Sequence, residues 1–321
     1  MILAGLVDGP GPYAGPTKAL VSTPEEACAA VARYAAHGYV QLKIYSSVKP
    51  ELVPVLVAEA HRRGMRVSGH VPAFMTAEQA VRDGYDEIQH ANFLFLNFWL
   101  DSVPDTRSTA RFTAVGERAA LLDLDSPRVR DFIALLHDRH IAIDPTLGVF
   151  EALFTARKGE VSPVDSAVAD RLPPQIRRGL LSGGLPIPPG MDQRYRDSFA
   201  QMLRMVKRLY DAGITIEAGT DGDPGFGLHR ELELYSAAGI PNAEVLRLAT
   251  WGAAHVMGQD RERGAITPGR QADLVLVDGD PVTRIHDIRR TEWVVKDGWV
   301  YRAADLARSV GVTPVVEEPR P

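Results

Sequence analysis

The chain has 321 residues, 45% of them hydrophobic and 24% charged, which is long enough for one large α/β domain with a sizeable core. Its net charge of −5, with acidic and basic residues interspersed, provides no electrostatic footprint for nucleic acid. The single cysteine, Cys28, excludes an internal disulfide framework and a zinc site built on cysteine clusters, and no apolar run reaches the ~20 residues that span a bilayer.

One unit recurs along the chain: an amphipathic helix, a tight turn that usually contains glycine, and a short apolar strand. The segment ACAAVARYAAHGYVQLKIY is its first occurrence, and LVPVLVAEAHRRGMRVSGH is the next. Strands that alternate with helices predict a parallel sheet in an α/β fold. The strands are predicted near residues 1–7, 39–45, 65–70, 85–91, 140–147 and 214–221.

The character of the sequence changes after the last of these strands. A helix is predicted over 241–257, and the later segments ADLVLVDGDP and EWVVKDGWVY predict a small β element with a hairpin turn at KDG. The C-terminal TPVVEEPRP is typical of a disordered tail. Two long interruptions, 93–128 and 150–195, have the length of lids, binding loops or mobile linkers.

Polar residues stand at the ends of four predicted strands. In YVQLKIY, Lys43 lies on the face opposite Leu42 and Ile44, whereas His70, His90 and Asp221 end the strands RVSGH, DEIQH and ITIEAGTD. Each alone has an ordinary explanation: a snorkelling lysine, a satisfied core histidine or a capping aspartate. Because function gathers at the carboxyl ends of parallel strands, the four together predict one shared site.

The chemistry of these four residues indicates a metal site. A buried lysine amine that becomes neutral can add carbon dioxide and form an anionic carbamate, which has two oxygens and can bridge two metal ions. Paired metals ~3.5–4 Å apart generate hydroxide and stabilise a developing oxyanion. Imidazole and carboxylate ligands suit zinc, although related divalent metals also fit.

At this point the chain resembles a known family, the amidohydrolase superfamily, and within it the imidazolonepropionase-like and Xaa-Pro dipeptidase-like branch. The resemblance spans most of the chain, and its most specific part is a Gly-x-Ile-x-x-Gly-x-x-Ala-Asp-Leu pattern. The motifs that carry it are LKIY, SGHVP, EIQHAN, EAGTDG, HRELELYSAAG, LRLATWGAAHVMG and GAITPGRQADLVLVDGDP.

The resemblance implies a (β/α)8 TIM-type barrel with a metal centre at the carboxyl ends of its strands. It implies that Lys43 is a carboxylated bridging lysine, that His70 and His90 bind one metal, and that Asp221 binds the other and acts as general base. Tyr45 and His229 are implied as substrate contacts, although a packing aromatic at a barrel rim and a surface residue at a helix start are the alternatives.

One family signature, His-x-His at the end of the first barrel strand, does not occur in this sequence. Six predicted strands instead of eight, with MILAGLV matching the family's third, lead us to expect an N-terminally incomplete barrel with open edges at 1–7 and 214–219. We therefore expect at most one tightly bound metal and little activity. The expected domains are a partial barrel over 1–263 with the insertions 93–128 and 150–195, a β-sandwich segment over 264–303 and a tail over 304–321.

The remaining histidines and aromatic residues receive structural interpretations. His37, His61, His137 and His140 occupy helix-to-strand turns, on the side of a barrel away from the chemistry, and are predicted at the surface. The apolar segment 92–99, NFLFLNFW, is predicted to pack in the core rather than to line a substrate pocket.

The predicted function is a metal-dependent hydrolase of amide or peptide C–N bonds, acting on a small-molecule or dipeptide-like substrate. Two rivals are a truncated or degenerate non-catalytic relative and a hydrolase of cyclic amides or esters. No nucleic-acid or membrane partner is expected, and homo-oligomerisation is left open. The sequence as given has no targeting segment, which indicates the cytoplasm, or export where the true N-terminus lies upstream.

Overall fold

The computed structural model describes residues 2–222 and 225–315, and the chain forms two compact units. The first unit comprises residues 1–145 and 193–216, and the second comprises 146–192 and 217–321. Within the described ranges, no helix has the length and apolar character needed to cross a membrane.

Two parallel sheets organise the first unit. The backbone amide of Asp86, just before the second sheet, donates to the carbonyl oxygen of Val67 in the first sheet at 3.0 Å. All six predicted strands are present, together with a two-residue strand at 19–20 that the sequence did not predict. In order across the sheets, the strands are β2 (Ala19–Leu20), β1 (Ala4–Asp8), β3 (Gln41–Ile44) and β4 (Arg66–Gly69), then β5 (Glu87–Gln89), β6 (Ala142–Asp144) and β7 (Thr215–Ile216).

Helices follow the strands of this unit, as the recurring pattern predicts. The first begins where the Thr23 hydroxyl accepts a hydrogen bond from the amide of Glu26 and Pro24 occupies the first turn. It buries the apolar side chains Ala27, Ala30 and Val31. The helices are α1 (Pro24–Ala36), α2 (Val53–Arg62), α3 (Ala77–Arg82), α4 (Asn92–Leu96), α5 (Ala110–Arg118) and α6 (Pro127–Asp138), with α9 (Asp192–Asp211) contributing from later in the chain.

The outer edge of β1 is not open along its whole length, contrary to the sequence expectation. Strand β2 pairs with Val7 and Asp8, and the Tyr34 hydroxyl of α1 donates to the carbonyl oxygen of Leu6 at 2.8 Å. The Tyr34 ring packs against Gly5 so closely that a Cβ there would lie 2.3 Å from it. The edge is therefore partly satisfied by the chain itself.

The second unit combines helices with a three-stranded antiparallel sheet, and it contains the predicted KDG hairpin. Asp297 (φ 52°) and Gly298 (φ 82°) form the turn with the left-handed backbone that tight hairpins require. The predicted helix 241–257 contains a π-helical turn over Leu248–Gly252. The elements are α7 (Leu147–Thr155), α8 (Pro174–Gly179), α10 (Phe226–Ala237), α11 (Asn242–Arg247), α12 (Ala253–Val256), β8 (Leu274–Val277), β9 (Thr291–Lys296), β10 (Trp299–Arg302) and α13 (Ala303–Ser309).

The segment predicted as a tail is ordered at its start. Helix α13 occupies 303–309, Val312 is buried, and the amide of Thr313 donates to the carbonyl oxygen of Arg171 at 2.8 Å. The remainder of the predicted tail, 316–321, lies outside the described residues.

The structural interpretations of the other histidines and of the aromatic segment are confirmed. The side chains of His37, His61, His137 and His140 are exposed. Residues 92–98 are buried, and Phe93, Leu94 and Phe95 are among the most completely buried side chains of the core. An α/β fold with parallel sheets, as the alternation of helices and strands predicts, is therefore confirmed.

Candidate functional site

Lys43 lies on a polar face of β3 that is turned inward rather than toward solvent. Leu42 and Ile44, on the opposite face, are fully buried. On the lysine's own face, the Gln41 amide donates to the Ser68 hydroxyl at 2.5 Å and to the Glu87 carboxylate at 3.1 Å, and all three side chains are buried. Lys43 is half-buried at the carboxyl end of this polar layer, so it does not simply snorkel into bulk water.

The backbone at the end of β4 fixes the position of His70. Gly69 has a φ of 129°, and a Cβ there would lie 2.3 Å from the carbonyl oxygen of Ile44, so only glycine fits. The His70 amide donates to that same carbonyl at 2.9 Å. The His70 Nδ1 atom lies 2.9 Å from the Ser46 hydroxyl, and this contact orients the ring. The Nε2 atom is therefore the ring nitrogen proposed to face a metal ion.

His90 follows β5 in a left-handed conformation, with a φ of 71°. Its amide donates to the carbonyl oxygen of Asp144 at 2.7 Å, which ties the turn to the end of β6. The His90 and His70 rings lie 4.8 Å apart, centroid to centroid, at an interplanar angle of 72°. The structure therefore brings together two histidines whose sequence positions are 20 residues apart.

Tyr45 joins Lys43 to this histidine pair. Its ring centroid lies 4.7 Å from that of His70, and the Lys43 Nζ atom lies 5.3 Å from the Tyr45 centroid. Of the six residues singled out in the sequence, four thus form one cluster in the first unit: Lys43, Tyr45, His70 and His90.

Burial keeps both imidazoles neutral at ordinary pH. It lowers the pKa of His70 well below the usual value, and His90, Lys43, Arg111 and Lys18 lower it further. Burial, with smaller contributions from Lys43 and Arg111, lowers the pKa of His90 to about 3. Neutral imidazoles are the form that binds a metal ion.

Sequence reasoning did not identify Asp8 and Lys18, which lie beside this cluster. The Lys18 Nζ atom lies 3.5 Å from the Tyr45 ring centroid and 3.1 Å from the Asp8 carboxylate. Asp8 also accepts the amides of Gly9 at 3.0 Å and Ser47 at 2.9 Å. Because Asp8 ends β1, the strand-end position that pointed to the other residues could also have pointed to Asp8. Lys18 lies in the loop between β1 and β2, so its position in the sequence did not indicate a functional role.

Asp221 and His229 belong to the second unit. Asp221 is exposed and has a left-handed φ of 45°. His229 is half-buried on α10, where burial and Arg289 lower its pKa while Glu233 raises it.

The first unit fits a divalent metal only in part. Two neutral imidazoles, one of them oriented by Ser46, are suitable zinc donors, and Lys43 would add an anionic donor after carboxylation. No group of three or more His, Cys, Asp or Glu side chains gathers for a metal ion within residues 2–222 and 225–315.

Comparisons with known proteins relate part of the chain to a family. Residues 174–302 match the amidohydrolase family model. This part of the chain is therefore similar to the amidohydrolase family. An imidazolonepropionase from Geobacillus kaustophilus is 32% identical over 102 residues, which are 29% of this chain and 24% of that protein. The predicted resemblance is thus confirmed at the level of the superfamily.

Two solved amidohydrolase-type structures show the same fold. Bottromycin amidohydrolase has a TM-score of 0.67 at 23% identity, covering 97% of this chain and 68% of that one. A Xaa-Pro dipeptidase has a TM-score of 0.58 at 20% identity, covering 88% of this chain and 60% of that one. The fold is therefore TIM-barrel-like, and the chain spans about a quarter of the curated relative and three fifths of the dipeptidase.

Proposed function

We propose that the protein is a metal-dependent hydrolase of amide or peptide C–N bonds. The observation that supports this most is the cluster of Lys43 with two neutral, buried imidazoles, His70 and His90, at the carboxyl ends of adjacent strands. The similarity of residues 174–302 to the amidohydrolase family supports the reaction class, and the names of the dipeptidase and bottromycin neighbours support an amide-like substrate.

In this proposal His70 and His90 hold one divalent metal, most simply zinc, and Lys43 contributes as a carbamate. Asp221 would hold a second metal ion where one binds. A bound metal supplies Lewis acidity, which acidifies water and polarises a carbonyl oxygen. The Ser46 hydroxyl keeps His70 in one orientation, and Gly69 lets the backbone place it there.

The chain's own residues handle the proton and the substrate. Asp221 takes a proton from the attacking water as its oxygen bonds to the carbonyl carbon, and gives it to the nitrogen as the C–N bond breaks. Tyr45 and His229 contact the substrate and fix its orientation. The substrate is a small molecule such as a dipeptide or an N-acyl amino acid.

The domain assignment is also part of the proposal. Residues 1–263 form a partial (β/α)8 barrel of about six strands with the insertions 93–128 and 150–195, and residues 264–303 correspond to a β-sandwich segment. The six predicted parallel strands, each paired in one of the two parallel sheets, and the antiparallel β8–β9–β10 sheet support this interpretation.

A non-catalytic relative is the second candidate. It is favoured by the absence, within residues 2–222 and 225–315, of a group of three His, Cys, Asp or Glu side chains suited to a metal. The full chain is expected to bind at most one metal ion tightly and to turn over slowly.

A Lys43→Ala variant tests the proposed site. We expect metal affinity and turnover to fall by roughly 100-fold or more, because losing even an outer-shell partner of a metal ligand costs about 10–100-fold and Lys43 is proposed as a direct ligand. Excess acetate or propionate, which replaces the missing carboxylate, should restore part of both. A matched Lys49→Ala variant, which removes an exposed lysine shortly after the same strand, should behave as wild type.

The assays should include dipeptides, N-acyl amino acids, cyclic amides and lactones. Turnover of the first two classes supports the leading proposal, and turnover confined to cyclic amides or lactones supports the hydrolase of cyclic amides or esters. Full metal retention by Lys43→Ala would contradict the role proposed for this lysine.

A further inference from the structure

Helix α10 carries two buried polar groups that the proposed function does not use. Glu231 and Tyr235 are both fully buried and lie four residues apart, so they share one face of the helix. Neither is a proposed metal ligand or substrate contact.

Glu231 contacts the segment that follows β6 in the chain. One carboxylate oxygen accepts the Leu147 amide at 2.8 Å, and the other accepts the Gly148 amide at 2.8 Å. These amides begin α7, where backbone N–H groups lack partners within the helix. The carboxylate therefore fixes the start of α7 from a position more than 80 residues away in the sequence.

The residue before this contact is held in a costly conformation. Thr146 is 1% exposed and has φ 48° and ψ 47°, the left-handed region that a β-branched residue rarely adopts. Such backbone strain persists only where the surroundings over-determine it, and it clusters at functional sites. The two hydrogen bonds to Glu231 immediately after Thr146 provide such a restraint.

Tyr235 contacts the segment that follows β7. Its hydroxyl donates to the carbonyl oxygen of Glu217 at 2.5 Å. Glu217 lies four residues before Asp221, which also has a left-handed backbone. The same face of α10 thus binds the chain just after β6 and just after β7.

We propose that Glu231 and Tyr235 are positioning residues, which hold the segments 146–148 and 217–221 in the conformations the active site needs. The role in catalysis rests on the proposed function, in which Asp221 is the general base. His229 lies on the same helix, so α10 would present one substrate contact and position the base through Tyr235.

Hydrogen–deuterium exchange of the full chain tests this without substrate or metal. We expect Glu231→Gln, which replaces one accepting oxygen by an NH2 group, to speed exchange in 146–150 about tenfold or more. We expect Tyr235→Phe to do so in 217–222. Ser236→Ala is the matched control, because it removes a hydroxyl of the same helix that bonds Asn242 instead.

Unchanged exchange in both segments would overturn the proposal, as would an equal acceleration in every segment, which indicates general destabilisation. Tyr235→Phe removes a single oxygen and keeps the ring, so it provides the test even where Glu231→Gln does not fold.

Kinetics then separate positioning from a merely structural role. For a substrate found by the assays above, Tyr235→Phe should lower kcat about tenfold and leave KM unchanged, whereas Ser236→Ala should change neither. If the variants alter exchange but the protein binds no metal and hydrolyses no substrate, the proposed function is contradicted and the restraint by α10 stands. If Tyr235→Phe leaves kcat unaltered, the positioning role is overturned.

Discussion

Backbone strain accompanies two residues of the proposed mechanism and one residue beside the Glu231 contact. His90, Thr146 and Asp221 all have a positive φ, although none is a glycine. A left-handed residue of this kind destabilises the folded state by roughly 1–3 kcal/mol, so stabilising interactions elsewhere in the fold must offset each one. Two of the three, His90 and Asp221, were predicted as ligands from their places at strand ends.

The buried Glu231 side chain should make the stability of the protein depend on pH. Burial, the largest effect, raises its pKa from 4.5 to about 7, although the hydrogen bonds from the Gly148 and Leu147 amides oppose the shift, and Glu151 raises it further. The folded chain therefore keeps this proton at pH values where the unfolded chain has lost it. The free energy of unfolding should fall by roughly 3 kcal/mol as pH rises from 4.5 to 7.

Urea unfolding across this pH range provides the measurement. In Glu231→Gln the side chain stays neutral, so this contribution to the pH dependence should disappear. Glu244→Gln, at a more exposed position on α11, should retain the wild-type slope. An equally steep fall in Glu231→Gln would show that other groups cause it.

At the scale of single elements, the close packing of α1 on β1 explains how an edge strand is covered. Tyr34 lies over Gly5 and bonds the Leu6 carbonyl. We expect Gly5→Ala to destabilise the chain by about 1–3 kcal/mol, because the new methyl group would overlap the ring. In a Tyr34→Ala background the same substitution should cost little.

A double-mutant cycle by chemical denaturation measures this coupling. Ala35→Gly, in the same helix but without the ring contact, can serve as the background control, in which Gly5→Ala should keep its full cost. A Gly5→Ala cost that does not depend on Tyr34 would contradict the packing explanation.

The sequence predicted these elements well, because helices and strands have local periodicities. It placed the six parallel strands, the KDG hairpin and the cluster of Lys43 with His70 and His90. It did not predict β2, which forms only by pairing with Val7 and Asp8, or the ordered helix α13 within the predicted tail.

The sequence did not single out Lys18 or Thr146, and the physical reason is the same for both. Lys18 reaches Tyr45 from a connection, and Thr146 takes its conformation beside a contact with Glu231, which is distant in sequence. Neither leaves a periodic pattern or a motif in its own segment. Contacts between distant segments, rather than local propensity, determine these positions.

At the scale of the whole molecule, the proposed residues are divided between the two units. Lys43, His70 and His90 belong to the first, whereas Asp221 and His229 belong to the second. The first unit alone supplies the two imidazoles and the lysine, so metal binding by this cluster can be tested independently of the residues in the second unit.

Zinc content tests that claim. The full chain, its His70→Ala variant and the surface control His137→Ala should be dialysed against zinc and then analysed by mass spectrometry. We expect one zinc ion per chain in the wild type and in the control, and close to none in His70→Ala. A wild-type chain without zinc, or a His70→Ala variant that keeps it, would contradict the proposed metal centre.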